Sequence, residues 1–368
     1  MDPISHAVFG YALVTAAQRT AVDSAQVTSG TRGMAAAAVL GALAPDVDAL
    51  FMPIGWDIYL RVHEIGTHTV LGTSLVALAV AFVVRADDVV RFFARPAKRP
   101  FASPTALVIA AWLGALSHLA LDVVSGARIK VAWPLIDART HVPLVAMAEP
   151  WVIGLFVIGI LSLVLAHGRR RAAAATLLIA VAAFLTVKSL WLLEAVRTLN
   201  RADSTRVERV IEARWGTLRE WNVFQRVDRT LQHLTIQPGQ APMLLASFPT
   251  GLTAPNTAES PIVARSRSLD TVRNFLAVHE LSFAREAPDE HGDTDVLWSD
   301  IRFCREPAAG PDGRVAPAPS PVAASMGDRD RLLTACGLWF GGTYDRMGRV
   351  LKQWVRVGSW RQTRPVSP

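Results

Sequence analysis

His118 and Asp122 lie four residues apart inside the apolar run "GALSHLALDVVSG" at 114–126. On a helix that spacing puts an imidazole and a carboxylate on one face. Ionisable groups in a lipid-facing segment are costly, so they turn towards a cavity or a partner. Such a pair can grip a divalent ion from one side. It can equally pin two helices through a His–Asp hydrogen bond. "APDVDALF" at 44–51 places Asp46 and Asp48 just after an apolar helix, where a loop can offer carboxylate oxygens or simply end the helix. "RVHEIGTHTVLG" at 61–72 carries His63 and His68, with Thr67 as a helix cap. Five residues apart, these histidines do not share a helix face, but a loop followed by a first turn converges them. His6, in "DPISHAVFG", is either a further ligand or a satisfied core histidine.

These residues need elements to position them, and composition says which kind. Of 368 residues, 51% are hydrophobic and 19% charged, and mean hydropathy is +0.29. The apolar residues concentrate before residue 200, as in a membrane protein with an extramembrane tail. Six apolar segments stand out, at 3–18, 33–45, 66–84, 104–124, 150–167 and 172–193. The first two are short for a crossing of about 20 residues, and the last four read as transmembrane helices. Basic residues in 85–103 and in "HGRRR" at 167–171 assign those loops to the cytoplasm. The N-terminus, 46–65, 125–149 and everything after about 197 then fall on the opposite side.

That alternation brings His6, Asp46, Asp48, His63, His68, His118 and Asp122 to one membrane face. Their number suits a site of two or three metal ions, zinc first, with manganese or iron(II) as alternatives. The chemistry expected is a metal-activated water attacking a phosphoryl or carbonyl centre, with a free carboxylate as base. The net charge of +7 arises from basic residues dispersed among short loops, with no groove-reading motif, so nucleic acid is not an expected partner. Membrane lipids and a small or lipid-like substrate are. Two cysteines, Cys304 and Cys336, allow at most one bridge, and an extracytoplasmic tail would let them pair.

The ordered set "SHAVFG", "PDVD", a "H…TH" helix start and "SHLALDVVSG" resembles the YdjM-type membrane-bound metal-dependent hydrolases of bacteria. The likeness covers about residues 1–200 and extends faintly to "WSDIRF" at 298–303. It implies that the seven residues named above are the metal-site set. The His-x-x-x-Asp element is also similar to one in the zinc-dependent phospholipase C superfamily, a more distant analogy. Two departures stand out. The family's histidine-arginine-glycine at the third helix reads His63-Glu64-Ile65 here, so no role of that arginine carries over. A stretch that ends in aspartate-proline in the family ends in Glu149-Pro150. Glu149 is thus either a catalytic acid–base group, alongside Asp48, or a charge complementing a helix N-terminus.

The expected architecture is mainly α: a polytopic helical membrane bundle, 1–199, followed by a small α+β extramembrane domain, 200–305. Strands are expected in "NVFQRVDRTLQHLTI" and "TDVLWSDIRF", and a helix in "SLDTVRNFLAV". A Pro/Ala-rich linker, 306–328, and a C-terminal amphipathic helical segment, 329–368, complete the chain. The function expected is a metal-dependent hydrolase of the bacterial inner membrane. The rival is a non-catalytic binding or ion-handling membrane protein whose polar residues are structural.

Overall fold

A computed structural model describes residues 2–18, 33–94, 102–166, 168–202, 207–228, 230–249, 260–289, 291–304, 333 and 336–366. The linker expected at 306–328 lies outside them. The chain divides into two compact units: Met1–Leu50, Val62–Leu193 and Glu212–Glu220 form the first, and Phe51–Arg61, Glu194–Ile211 and Trp221–Pro368 the second. A helical N-terminal region is followed by two antiparallel sheets.

The first unit contains α1 (Pro3–Ala17), α2 (Met34–Leu43), most of α4 to α7 and the last residues of α3. Helix α3 is Trp56–Ile65, α4 Val70–Ala94, α5 Pro104–Val124, α6 Pro150–Leu165 and α7 Arg170–Ala202. Asp2 caps α1 and Ser103 caps α5 through their side chains, each with proline in the first turn. Among the described residues, four stretches are long and apolar enough to cross a membrane: Met34–Phe51, Val70–Asp87, Pro104–Val124 and Arg170–Ala202. The segment at 33–45 is lengthened by a 3-10 helix, Ala44–Phe51, which replaces the expected loop around Asp46 and Asp48. The segment expected to cross at 150–167 instead forms a helix of 16 residues. At about 1.5 Å per residue that is shorter than the hydrocarbon core.

Small residues bring α1, α2 and α5 together. A Cβ at Gly114 would overlap the Ala38 carbonyl oxygen, and one at Gly41 would overlap that of Ala111. Ala37, Ala38, Ala42, Ala110, Ala111 and Ala115 are fully buried around them. Close backbone approach through small residues is how helices associate where lipid removes the hydrophobic drive. Large apolar side chains point outwards instead: Leu75, Phe82, Ile158, Ile179 and Leu190 are all exposed. That inside-out pattern suits a lipid surround.

In the second unit β1 (Arg209–Ala213), β2 (Trp221–Val227), β3 (Thr230–Ile236) and β4 (Met243–Pro249) form one sheet in that order. After α8 (Pro261–Ser266) and α9 (Asp270–Val278), the strands β5 (Ser282–Pro288), β6 (Thr294–Asp300), β7 (Leu338–Tyr344), β8 (Val350–Val357) and β9 (Trp360–Arg364) form a second meander. Phe224, Leu231, Leu297, Trp339 and Trp354 share one core, and Cys304 and Cys336 are joined by a disulfide.

The expectation of an amphipathic helix within 329–368 is corrected: its described part is strand. Trp354 and Arg356 pair across from Gly341 and Trp339, and Gly341 leaves room for the Trp354 ring, which a Cβ would crowd. Trp339 and Trp354 are buried on the sheet, whereas Trp360 is exposed.

Candidate metal centre

The face of α5 that packs on α2 also carries the polar pair. Gly114, His118 and Asp122 follow at four-residue steps. On α1, His6 precedes the buried Gly10 by the same step. The contacts that draw three backbones together therefore also deliver His6, His118 and Asp122 to one place. Helix α2 adds its C-terminal extension, with Asp46 and Asp48. The last turn of α3 adds His63, and the turn between α3 and α4 adds His68.

His68 Nε2 lies 3.0 Å from His118 Nε2. Asp122 Oδ2 is 3.3 Å from the first and 3.2 Å from the second. Asp46 Oδ1 is 3.6 Å from each. Four ligands held tetrahedrally at about 2.0–2.1 Å from zinc stand about 3.3–3.4 Å from one another. These five distances are close to the spacing of a metal's coordination shell.

The hydrogen bonds behind these atoms fix the rings. His118 Nδ1 donates to the Ala42 carbonyl oxygen at 2.7 Å, because a carbonyl can only accept. In the neutral ring Nε2 then keeps its lone pair for the cluster. His68 Nδ1 faces Asp48 Oδ2 at 3.3 Å. Asp48 Oδ2 also accepts from the Thr67 hydroxyl at 2.6 Å and lies 3.0 Å from His63 Nδ1. His6 stacks on His118 with centroids 3.8 Å apart, and its Nε2 is 3.3 Å from Asp122 Oδ1.

His6, Asp48, His68, His118 and Asp122 are buried. Asp48 Oδ1 and His6 Nδ1 have no hydrogen-bond partner among the described residues. A buried acceptor without a donor is costly and calls for an unseen partner. Burial opposes a charge on His68, yet the carboxylates of Asp122, Asp46 and Asp48 outweigh it and raise its pKa to about 10. Three carboxylates converging on four imidazoles call for positive charge, which a proton or a cation supplies.

All seven sequence-derived ligand candidates are thus brought together. Among the described residues they make three overlapping groups: His6, His118 and Asp122; Asp46, His68 and His118; Asp48, His63 and His68. Glu149 belongs to none. It is fully buried just before α6 and does not cap it by side chain. Its Oε2 accepts from Ala146 N at 3.3 Å. Burial raises its pKa, opposed by that bond and by the charge of Lys188.

Sequence reasoning missed several supports. Thr67 does not cap α4: Thr69 does, its hydroxyl accepting from Gly72 N. Thr67 orients Asp48 instead. The Ala42 carbonyl leaves no trace in residue types. Glu64, which replaces the family's arginine, pairs with Arg139 at 2.6 Å. Lys188 is fully buried and donates to the Leu218 carbonyl at 3.0 Å.

A model of the YdjM inner membrane protein family matches residues 1–193. No curated protein matches the chain, and no solved structure does.

Proposed function

The chain belongs to the YdjM inner membrane protein family, and from that membership and the clustered imidazoles and carboxylates we propose a metal-dependent hydrolase of the bacterial inner membrane. The observation that carries this reading is the convergence of His68 Nε2, His118 Nε2, Asp122 Oδ2 and Asp46 Oδ1 within 3.0–3.6 Å contacts. These four would hold one ion, and the group of His6, His118 and Asp122, which shares His118 with them, is an alternative position. The mixed nitrogen and carboxylate donors favour Zn²⁺, with Mn²⁺ or Fe²⁺ as alternatives. When bound, the ion would supply Lewis acidity towards a phosphoryl or carbonyl oxygen and lower the pKa of water.

The chain's own residues supply orientation and proton transfer. Ala42 and Asp48 hold the two central imidazoles with their Nε2 atoms inward. Asp48, whose Oδ1 has no hydrogen-bond partner, is the proposed proton acceptor from water. Hydrolysis of a phosphoester then joins the water oxygen to phosphorus, and the departing alcohol oxygen takes up a proton. Glu149, outside all three groups, is the second choice for proton transfer. The disulfide between Cys304 and Cys336 supports assigning the second unit to the oxidising, periplasmic side of the membrane.

Elemental analysis of the detergent-purified protein beside His118→Ala tests the reading. One or more zinc, manganese or iron ions per chain, lost in the variant, is the expected result. Metal-free wild-type protein that stays metal-free after incubation with each ion would overturn it.

A further inference from the structure

The segment between α5 and α6 carries an apolar turn that nothing in the metal chemistry requires. Residues 131–135 form tight turns, with Trp133 N donating to the Lys130 carbonyl at 3.0 Å and Leu135 N to that of Ala132 at 2.9 Å. Their tip is "WPLI" at 133–136. Leu135 is 91% exposed, Ile136 60% and Trp133 37%. Exposing this much apolar surface on one short turn is costly in water.

The turn is also held firmly. At its base Thr140 N donates to the Ile129 carbonyl at 2.9 Å, and Ile129 is buried. Lys130 Nζ pairs with Asp137 Oδ1 at 2.6 Å, and Arg139 Nε with Glu64 Oε1 at 2.6 Å. These pairs neutralise the charges flanking the tip. Two main-chain bonds tie the turn to the ligand-bearing segment: Lys130 N donates to the Glu64 carbonyl, and Val70 N to the Val131 carbonyl at 2.9 Å. Glu64 adjoins His63, and Val70 follows His68 by two residues. The turn and the imidazoles therefore stand on one framework.

Its place in the chain says what covers it. Helix α5, long and apolar enough to cross a membrane, ends at Val124, seven residues before Val131. A tryptophan beside aliphatic side chains, at the end of such a helix, is what the boundary between headgroups and acyl chains accepts. We propose that Trp133, Leu135 and Ile136 insert into the lipid surface beside the metal centre. The centre thereby stands at headgroup level and takes a lipid phosphoester directly from the bilayer. The substrate class rests on the hydrolase reading; the insertion does not.

The first test places an environment-sensitive nitrobenzoxadiazole label at Leu135→Cys, in the full chain with its native disulfide retained. The protein is reconstituted in vesicles of phosphatidylcholine and phosphatidylglycerol. Insertion gives a blue-shifted emission, quenching by doxyl-labelled lipid and protection from aqueous iodide. Quenching by iodide and not by doxyl lipid would overturn the proposal, and so would protection from both, which would make the cover a protein. The second test offers the metal-loaded wild type phosphatidate and phosphatidylglycerol in the same vesicles, beside soluble bis(p-nitrophenyl) phosphate. Lipid cleavage that falls at least tenfold in the double variant Leu135→Asp, Ile136→Asp, with metal content unchanged, supports the substrate class. Cleavage of the soluble ester alone would overturn that class and leave the hydrolase reading standing. Cleavage of neither, with the label inserted, would overturn the hydrolase reading and leave the insertion standing.

Discussion

His68 Nε2 and His118 Nε2, on segments 50 residues apart in sequence, face each other at 3.0 Å with Asp122 Oδ2 against both. Two imidazole nitrogens are held this close, away from water, only where a shared proton or a cation joins them. Under the proposed function that partner is a cation. Replacing His118 by Ala, or Asp122 by Asn, is expected to cut bound metal at least tenfold while membrane insertion stays intact. Metal per chain by mass spectrometry, together with the detergent-extracted yield, checks this. Full metal content in both variants would sink the ligand assignment.

Thr67 acts through Asp48 and touches no ligand nitrogen of the central pair except through His68 Nδ1. Thr67→Val keeps the shape and removes the hydroxyl. Metal affinity is expected to weaken about 10-fold, with full stoichiometry recovered at saturating metal. Competition with a chelating dye measures the shift, and Thr67→Ser is expected to restore affinity.

Gly114 is placed where α5 meets the α2 backbone, whereas Gly154 on α6 has open space around its Cα. Gly114→Leu is expected to force the helices apart, cost about 1–3 kcal/mol or more and abolish metal binding. Gly154→Leu is expected to do neither. Comparing thermal melting and metal content of the two separates close packing from helix propensity.

In the second unit Asp300 is fully buried and held by Arg302 Nε at 2.8 Å. Burial disfavours its charge, but the Arg302 guanidinium outweighs that and keeps its pKa below the ordinary 3.8. A depressed carboxyl stabilises the fold fully above the unfolded value and loses that contribution as pH falls through the folded one. Asp300→Asn, which removes the carboxylate charge facing Arg302, is expected to cost about 3–5 kcal/mol at neutral pH. The melting difference between wild type and variant should shrink below about pH 4. A difference independent of pH would mean that Asp300 contributes no charge-dependent stability.

The Cys304–Cys336 bridge joins residues 32 apart in sequence. Replacing both by serine is expected to cost about 2–4 kcal/mol. In protein taken from the cell without reductant and then unfolded, neither thiol should react with maleimide. Labelling of both would remove the support for a periplasmic second unit.

The sequence by itself determined the class of protein and which polar residues could form a centre. Long apolar stretches have few stable homes but a membrane. Histidines and aspartates in or beside them are costly, so their order and spacing picked out His6, Asp46, Asp48, His63, His68, His118 and Asp122 as candidates, with structural roles as the alternative. The strands β2, β3 and β6 were legible too, although of the three only β3 buries alternate residues along most of its length. Tertiary structure alone decided the rest. Which nitrogen of His118 faces the cluster depends on the carbonyl of Ala42, a backbone atom with no residue-type signature. Thr67 looked like a helix cap until Asp48, 19 residues away in sequence, took its hydroxyl. The segment 329–368 was expected to be an amphipathic helix. Only pairing with β6, a partner distant in the chain, selected the sheet, since strands, unlike helices, satisfy their backbone through neighbours that local sequence does not contain.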